Sequence, residues 1–282
     1  MKKIILLLGL LLIAGNSAFA DCEYECVAPY NLNNKFRVVM SNITGINSIV
    51  ENKLENIIEK EVLKIASADK IEVNLDSYSP KDLKNGIFKS MEVSGENVVI
   101  NNIHLSYLNL KTLCDFNYIK QSGNEIVFVE SLPMSFNFKM TSSDLNKTMQ
   151  NAKYKKILKD FNKLASNYSM GLQISSTKIS IKSNKLYYVI ALDIPFVSNE
   201  PKITLQADLR VKDGKIDFNN TRLISNSFNI DLKRLDFILN YLNPLNFSVN
   251  ILENKDAKVT VKNVILKDNM VVADGVIVIP KD

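Results

Sequence analysis

The residues able to do covalent or metal chemistry in this chain are few. There is one histidine, His104, and three cysteines, Cys22, Cys26 and Cys114. One imidazole excludes a multi-histidine metal site, and the cysteines lack the paired Cys-x-x-Cys spacing of a zinc site, so no metal is expected. His104 lies between Ile103 and Leu105, where a strand would turn it away from the apolar face. None of the nine glycines builds a phosphate-cradling loop, a dinucleotide fingerprint or a Gly-x-Ser-x-Gly elbow. Two of the 30 acids could still converge as an acid–base pair, but nothing in their spacing selects two. The expectation is a non-enzymatic protein with no catalytic residue and no cofactor.

What the sequence supplies instead is aligned apolar surface. From Asn33 to Ser67, apolar residues recur at steps of three or four, among them Ile46, Val50, Leu54, Ile57 and Ile58. This spacing predicts one long amphipathic helix, with Gly45 as a place for it to kink or start. In a later strand pattern Met134, Phe136, Phe138 and Met140 share one face. These nine side chains are the candidates to line an apolar groove. The plain alternative is that they are ordinary core.

The elements that would position them follow in chain order. Residues 1–20 carry a basic start, a short apolar run and Ala18-Phe19-Ala20, which reads as a secretory signal peptide with the mature chain starting at Asp21. Asp21 before Cys22 argues against a lipid anchor. Removing Lys2 and Lys3 lowers the formal charge from +5 to +3, too weak without clustered arginine for a nucleic-acid partner but compatible with transient contact with a membrane surface. Residues 21–32 read as an irregular leader, in which Cys22 and Cys26 could close a small loop; Cys114 reads as a buried residue of an apolar strand.

After the first helix, period-two stretches predict strands at 71–75, at 87–118 with a turn at Ser94–Asn97, and on to Met140. A helix is expected from Ser142 or Ser143 to Ser166. Strands then return at 172–182, 186–194 and 203–211, with a tight hairpin at Lys212-Asp213-Gly214-Lys215. A third helix spans Asp231–Leu242, stopped by Asn243-Pro244, before strands at 259–266 and 270–279. The fold class this predicts is α+β, with long amphipathic helices packed against a curved antiparallel β-sheet. It is read as a single domain over 33–282, divisible into pseudo-halves 33–140 and 141–282.

Several segments resemble a known family. Ser79-Pro80-Lys81-Asp82-Leu83 leading into Gly86-Ile87-Phe88-Lys89-Ser90-Met91-Glu92-Val93, then Ile103 to Leu110, resembles the core of the LmeA-like phospholipid-binding family. Val211 to Ile216 and Leu242-Asn243-Pro244-Leu245 are similar to its second half. The resemblance implies a tubular lipid-binding-like fold and an exported, periplasmic or secreted protein that holds phospholipid in an apolar groove. Gly86 and the Asn243–Leu245 turn carry over as structural positions only. The alternative is an envelope structural or protein-interaction module without a lipid cavity. A hydrolase using two carboxylates ranks last.

Overall fold

Alternating apolar and polar residues, punctuated by Asn, Asp and Gly, make this chain largely antiparallel β-sheet. The computed structural model describes residues 24–30, 32, 39, 46–122, 125–167, 173–193, 201–225, 239–252 and 257–282. Within them the order is α1 (Ile46–Ile65), β1 (Ala66–Ser67), β2 (Lys70–Asp76), α2 (Pro80–Lys84), β3 (Ile87–Phe88), β4 (Ser90–Ile100), β5 (Ile103–Thr112), β6 (Asn117–Ser122), β7 (Glu125–Phe128) and β8 (Leu132–Thr141). There follow α3 (Ser142–Thr148), α4 (Ala152–Asn167), β9 (Gln173–Lys182), β10 (Lys185–Asp193), β11 (Lys202–Lys212), β12 (Lys215–Ser225), α5 (Pro244–Leu252), β13 (Lys258–Lys267) and β14 (Met270–Ile279).

Turn chemistry sets the strand registers. Asn101-Asn102, Ser183-Asn184, Asp213-Gly214 and Asp268-Asn269 all have positive φ, between 49° and 70°, the geometry of two-residue hairpins whose twist matches the strands they join. The expected hairpin at Lys212–Lys215 is present, with Lys212 facing Lys215. The expected turn at Ser94–Asn97 is not a chain reversal, because β4 continues through it to Ile100. Asn97 (φ 49°) instead falls between the pairs Glu96–Tyr107 and Val98–Leu105. There the side-chain alternation switches, so that Val98 and Leu105 prolong the apolar face of Val93 and Leu110.

Three sheets result. Seven strands run in the order β1-β4-β5-β8-β14-β13, with β2 also pairing β4; β12-β11-β10-β9 form a second sheet and β3-β6-β7 a third. The C-terminal hairpin therefore completes the sheet that the first strands begin. It does so where Gly275 sits opposite Phe136: a Cβ on Gly275 would lie 2.7 Å from the Phe136 ring and 2.1 Å from the Thr260 carbonyl oxygen. The main core lies between the seven-stranded and four-stranded sheets, with α3, α4 and α5 covering its ends. At its centre Tyr154 donates to the Leu242 carbonyl (2.7 Å) and shares a hydrogen bond with Tyr188 (3.0 Å).

Several expectations are overturned. The α+β class of long amphipathic helices on a curved sheet, and the tubular lipid-binding-like architecture with it, gives way to a mostly antiparallel β structure with short helices: fourteen strands against five helices among the described residues. The 20-residue α1 spans about 30 Å and the 11-residue β4 about 36 Å, so the helix is no longer than a strand of the sheet. Helix α1 stops at Ile65, and Ala66–Ser67 pair with β4 as strand. The second helical block is two helices, because the Asn151 side chain accepts from Lys153 N–H (2.8 Å) and starts α4 afresh. Asn243-Pro244 opens a helix rather than only ending one: Asn243 Oδ1 accepts from Leu245 N–H (3.0 Å), and Pro244 takes the first helical position, where its missing N–H costs nothing.

The cysteine pairing also differs from expectation. Cys26 is bonded to Cys114 across 88 residues, not to Cys22, and Cys114 is a bridge rather than a free buried thiol. The leader is irregular over 24–30 and is tied down by this bond, by Tyr30 against Phe116 (4.9 Å) and by Tyr30 O–H donating to Glu130 (2.9 Å). Burial, reinforced by that bond, pushes the Tyr30 hydroxyl up to about 12. The expected signal peptide, Asp21, Cys22, the helix over 33–38 and 40–45, and the third helix over 231–238 lie outside the described residues. No described helix is long and apolar enough to cross a membrane.

Candidate functional site

Helix α1 is held over the seven-stranded sheet by its acids. The N–H groups of Leu75 in β2 and of Ser77 just after it donate to Glu55 Oε1 (2.7 Å) and Glu51 Oε1 (2.8 Å), and Ser77 Oγ also donates to Glu51 Oε1 (2.7 Å). Four residues of helix rise about 6 Å and two of strand about 6.6 Å, so carboxylates at i and i+4 match every second N–H of an antiparallel strand. The helix is thereby hung along the edge of the sheet instead of pressed into its centre. Ile49, Ile57, Leu63 and Ile65 on α1 remain exposed.

Beneath α1 lies an apolar cavity of about 690 Å³. Its roof is Leu54, Ile57, Ile58, Val62 and Ile65 of α1; its floor is Leu75, Met91, Val93, Val98, Leu108, Leu110 and Met134 of the sheet; Leu83, Phe88, Ile119 and Phe128 close one end. Among the described residues Glu61 and Ser94 are the only polar side chains in the lining, and Glu61 forms an exposed ion pair with Lys64 (2.6 Å). A small cluster of Leu75, Leu83, Phe88, Leu132 and Met134 packs alongside. An apolar wall of this extent favours an apolar guest over water, which needs polar partners.

The candidate residues divide by position. Leu54, Ile57, Ile58 and Met134 line the cavity, and half-buried Val50 packs against the adjoining cluster. Phe136, Phe138 and Met140 lie in the main core, with the rings of Phe136 and Phe138 stacked 5.9 Å apart. The side chain of Ile46 is outside the described set. Met91 and Val93 of β4 and Leu108 and Leu110 of β5 were missed. The signal for them was the Asn101-Asn102 turn, which pairs Val93 with Leu110 and places Leu108 opposite Gly95.

The chemistry-bearing residues stand elsewhere. His104 is a half-buried strand residue whose N–H donates to Thr148 Oγ1 (3.0 Å), and burial followed by the charge of Lys147 lowers its imidazole below the usual range. Among the described residues no group of three His, Cys, Asp or Glu side chains could hold a metal ion. Comparison of the chain with protein-family models, with curated proteins and with solved structures finds no match.

Proposed function

We propose that this is an exported, non-enzymatic protein that binds phospholipid or another acyl lipid in the cavity under α1, for lipid transport or maintenance in a cell envelope. The observation that carries the reading is the 690 Å³ apolar cavity with two polar side chains in its wall. A 150 Å³ apolar cavity holds a six-carbon ring, roughly 25 Å³ per carbon, so this volume admits on the order of 25 carbons, enough for one long acyl chain or two short ones. A chain burying about fourteen methylenes gains roughly 11 kcal/mol gross, which exceeds the lower estimates of association cost. The Cys26–Cys114 bond supports an oxidising compartment, as an exported protein would meet.

The test is native mass spectrometry and solvent extraction of protein purified without detergent, followed by reloading with a lysophospholipid. Co-purified lipid displaced by the added chain supports the reading. Empty protein that takes up no chain would sink it and favour the alternative of an envelope interaction module, whose contact surface would then be the exposed Ile49, Ile57, Leu63 and Ile65.

A further inference from the structure

A second recess, more polar than the first, lies between α4 and α5. It has a volume of about 740 Å³, and Lys153 and Lys156 of α4, Lys215 of β12, and Asn240, Asn246 and Asn250 stand in its wall, with no carboxylate among the described residues that line it. The asparagines do not present both ends of their amides. Asn246 Oδ1 accepts from Ile216 N–H (2.8 Å) and Asn240 Oδ1 from Phe218 N–H (3.2 Å), both on the edge strand β12. Asn250 Oδ1 accepts from Lys215 Nζ (3.1 Å). An N–H donor can meet only the carbonyl end of a carboxamide, so each amide is fixed with its NH2 end turned away from its partner.

The recess wall therefore holds asparagine amides whose carbonyl ends are occupied and lysine ammonium groups, set among the side chains of Tyr154, Ile157, Tyr241 and Phe247. Beyond it α4 adds Lys155, Lys159 and Lys163 against the single acid Asp160, a local excess of positive charge that would draw anions toward this face. We propose that this recess binds a phosphate-bearing anion, taken either from an anionic lipid headgroup or from a soluble phosphate. Carboxamide and ammonium donors suit a group with several acceptor oxygens and a net negative charge. The site shares no lining residue with the apolar cavity, and so stands or falls independently of it.

The decisive variant is Asn246→Asp. A carboxylate keeps the acceptor that Ile216 N–H needs, so the fold is retained, while the amide N–H donors of this wall residue are replaced by a negative charge. Lys153→Gln with Lys156→Gln removes charge without burying anything new. Binding would be read with inorganic phosphate by calorimetry, and with phosphatidylglycerol and phosphatidylcholine vesicles by flotation, each at two salt concentrations. Wild type should bind phosphate, phosphatidylglycerol vesicles or both, more weakly at high salt, and both variants should weaken that binding about tenfold or more with unchanged thermal midpoints. Binding to vesicles alone assigns the headgroup as source, and binding to phosphate alone assigns a soluble ligand. No binding to either probe, or binding that both variants leave intact, overturns the proposal.

Discussion

Removing the Cys26–Cys114 bond should be a severe change for the loss of a single cross-link. The loop it closes holds 88 residues of separation and includes α1, β2, β4 and β5, the roof and most of the floor of the apolar cavity. In the chain-entropy account, cross-linking a loop of that length removes about 4–5 kcal/mol of freedom from the unfolded state. Measured losses from native disulfides run about 2–5 kcal/mol, a large share of the roughly 5–15 kcal/mol of a typical domain. The Cys26→Ala/Cys114→Ala protein, carrying Cys22→Ala to prevent exchange, should therefore unfold in urea with a midpoint lower by about 0.7–1.7 M for a slope near 3 kcal/mol/M. Lipid capture should fall with it, since the leader and the β5–β6 junction would no longer be joined. Non-reducing peptide mapping of the wild type must show the 26–114 link. A midpoint within about 0.2 M of a Cys22→Ala control, or a mapped 22–26 link, would refute the reasoning.

Charges placed in the cavity roof separate its two faces. Leu54→Glu puts a carboxylate against the packed cluster and should cost about 2–4 kcal/mol in urea unfolding, whereas Ile57→Glu, at 53 % exposure, should cost under about 0.5 kcal/mol yet lower the lipid retained in native mass spectra. Equal stability losses at the two positions would mean that Ile57 is core. Gly275→Ala should destabilise by about 1–3 kcal/mol or more, because the added carbon meets the Thr260 carbonyl and the Phe136 ring; a neutral result in thermal unfolding would show that the two strands can part. Burial raises the hydroxyls of Tyr154 and Tyr188, the latter well above the usual value near 10. Above about pH 10 the unfolded chain releases these protons and the folded chain keeps them, so their contribution is intact below pH 10 and is lost as pH rises further. Tyr154→Phe should reduce that alkaline loss in pH-dependent unfolding, and an unchanged slope would count against it.

The strand layout was legible because its signals are local: period-two alternation and paired Asn, Asp and Gly in the turns. Boundaries at 270–279 and the 212–215 hairpin could be read directly. The fold class was not, since helical periodicity says that a segment is amphipathic and not how much of the fold it organises. Val50, Leu54 and Ile58 do face inward, yet Glu51 and Glu55 decide where the helix sits, and carboxylates at i and i+4 read as solvated surface in any hydropathy pattern. The cysteine pairing failed for a related reason. Proximity in sequence favoured 22 with 26, while the partner of Cys26 is fixed by a sheet contact 88 residues away. In the Met134–Met140 strand, alternation gave the shared face, but only Met134 reaches the cavity, because Phe136 and Phe138 meet β14 where the second sheet closes over the core.

The ties at Glu51 and Glu55 are one instance of a device used at three sheet edges. On β9, the N–H groups of Ile179 and Ile181 donate to Asn146 Oδ1 (2.9 Å) and Ser142 Oγ (2.7 Å) of α3, again i and i+4 on a helix against i and i+2 on an antiparallel strand. On β12, Ile216 and Phe218 donate to Asn246 and Asn240. Each helix thus blocks strand edges that could otherwise pair with another chain. Hanging a helix by polar ties also relieves its inner face of the need to fill the space beneath it. What occupies that space then depends on which residues share the helix with the tying groups. On α1 they are Leu54, Ile58 and Val62, and the recess is apolar; on the 239–252 segment they include Asn240, Asn246 and Asn250, whose carbonyl ends are already taken, and the recess is the more polar of the two. The two cavities are in this sense products of one edge geometry, differing in the side chains that were not needed to hold the helix in place.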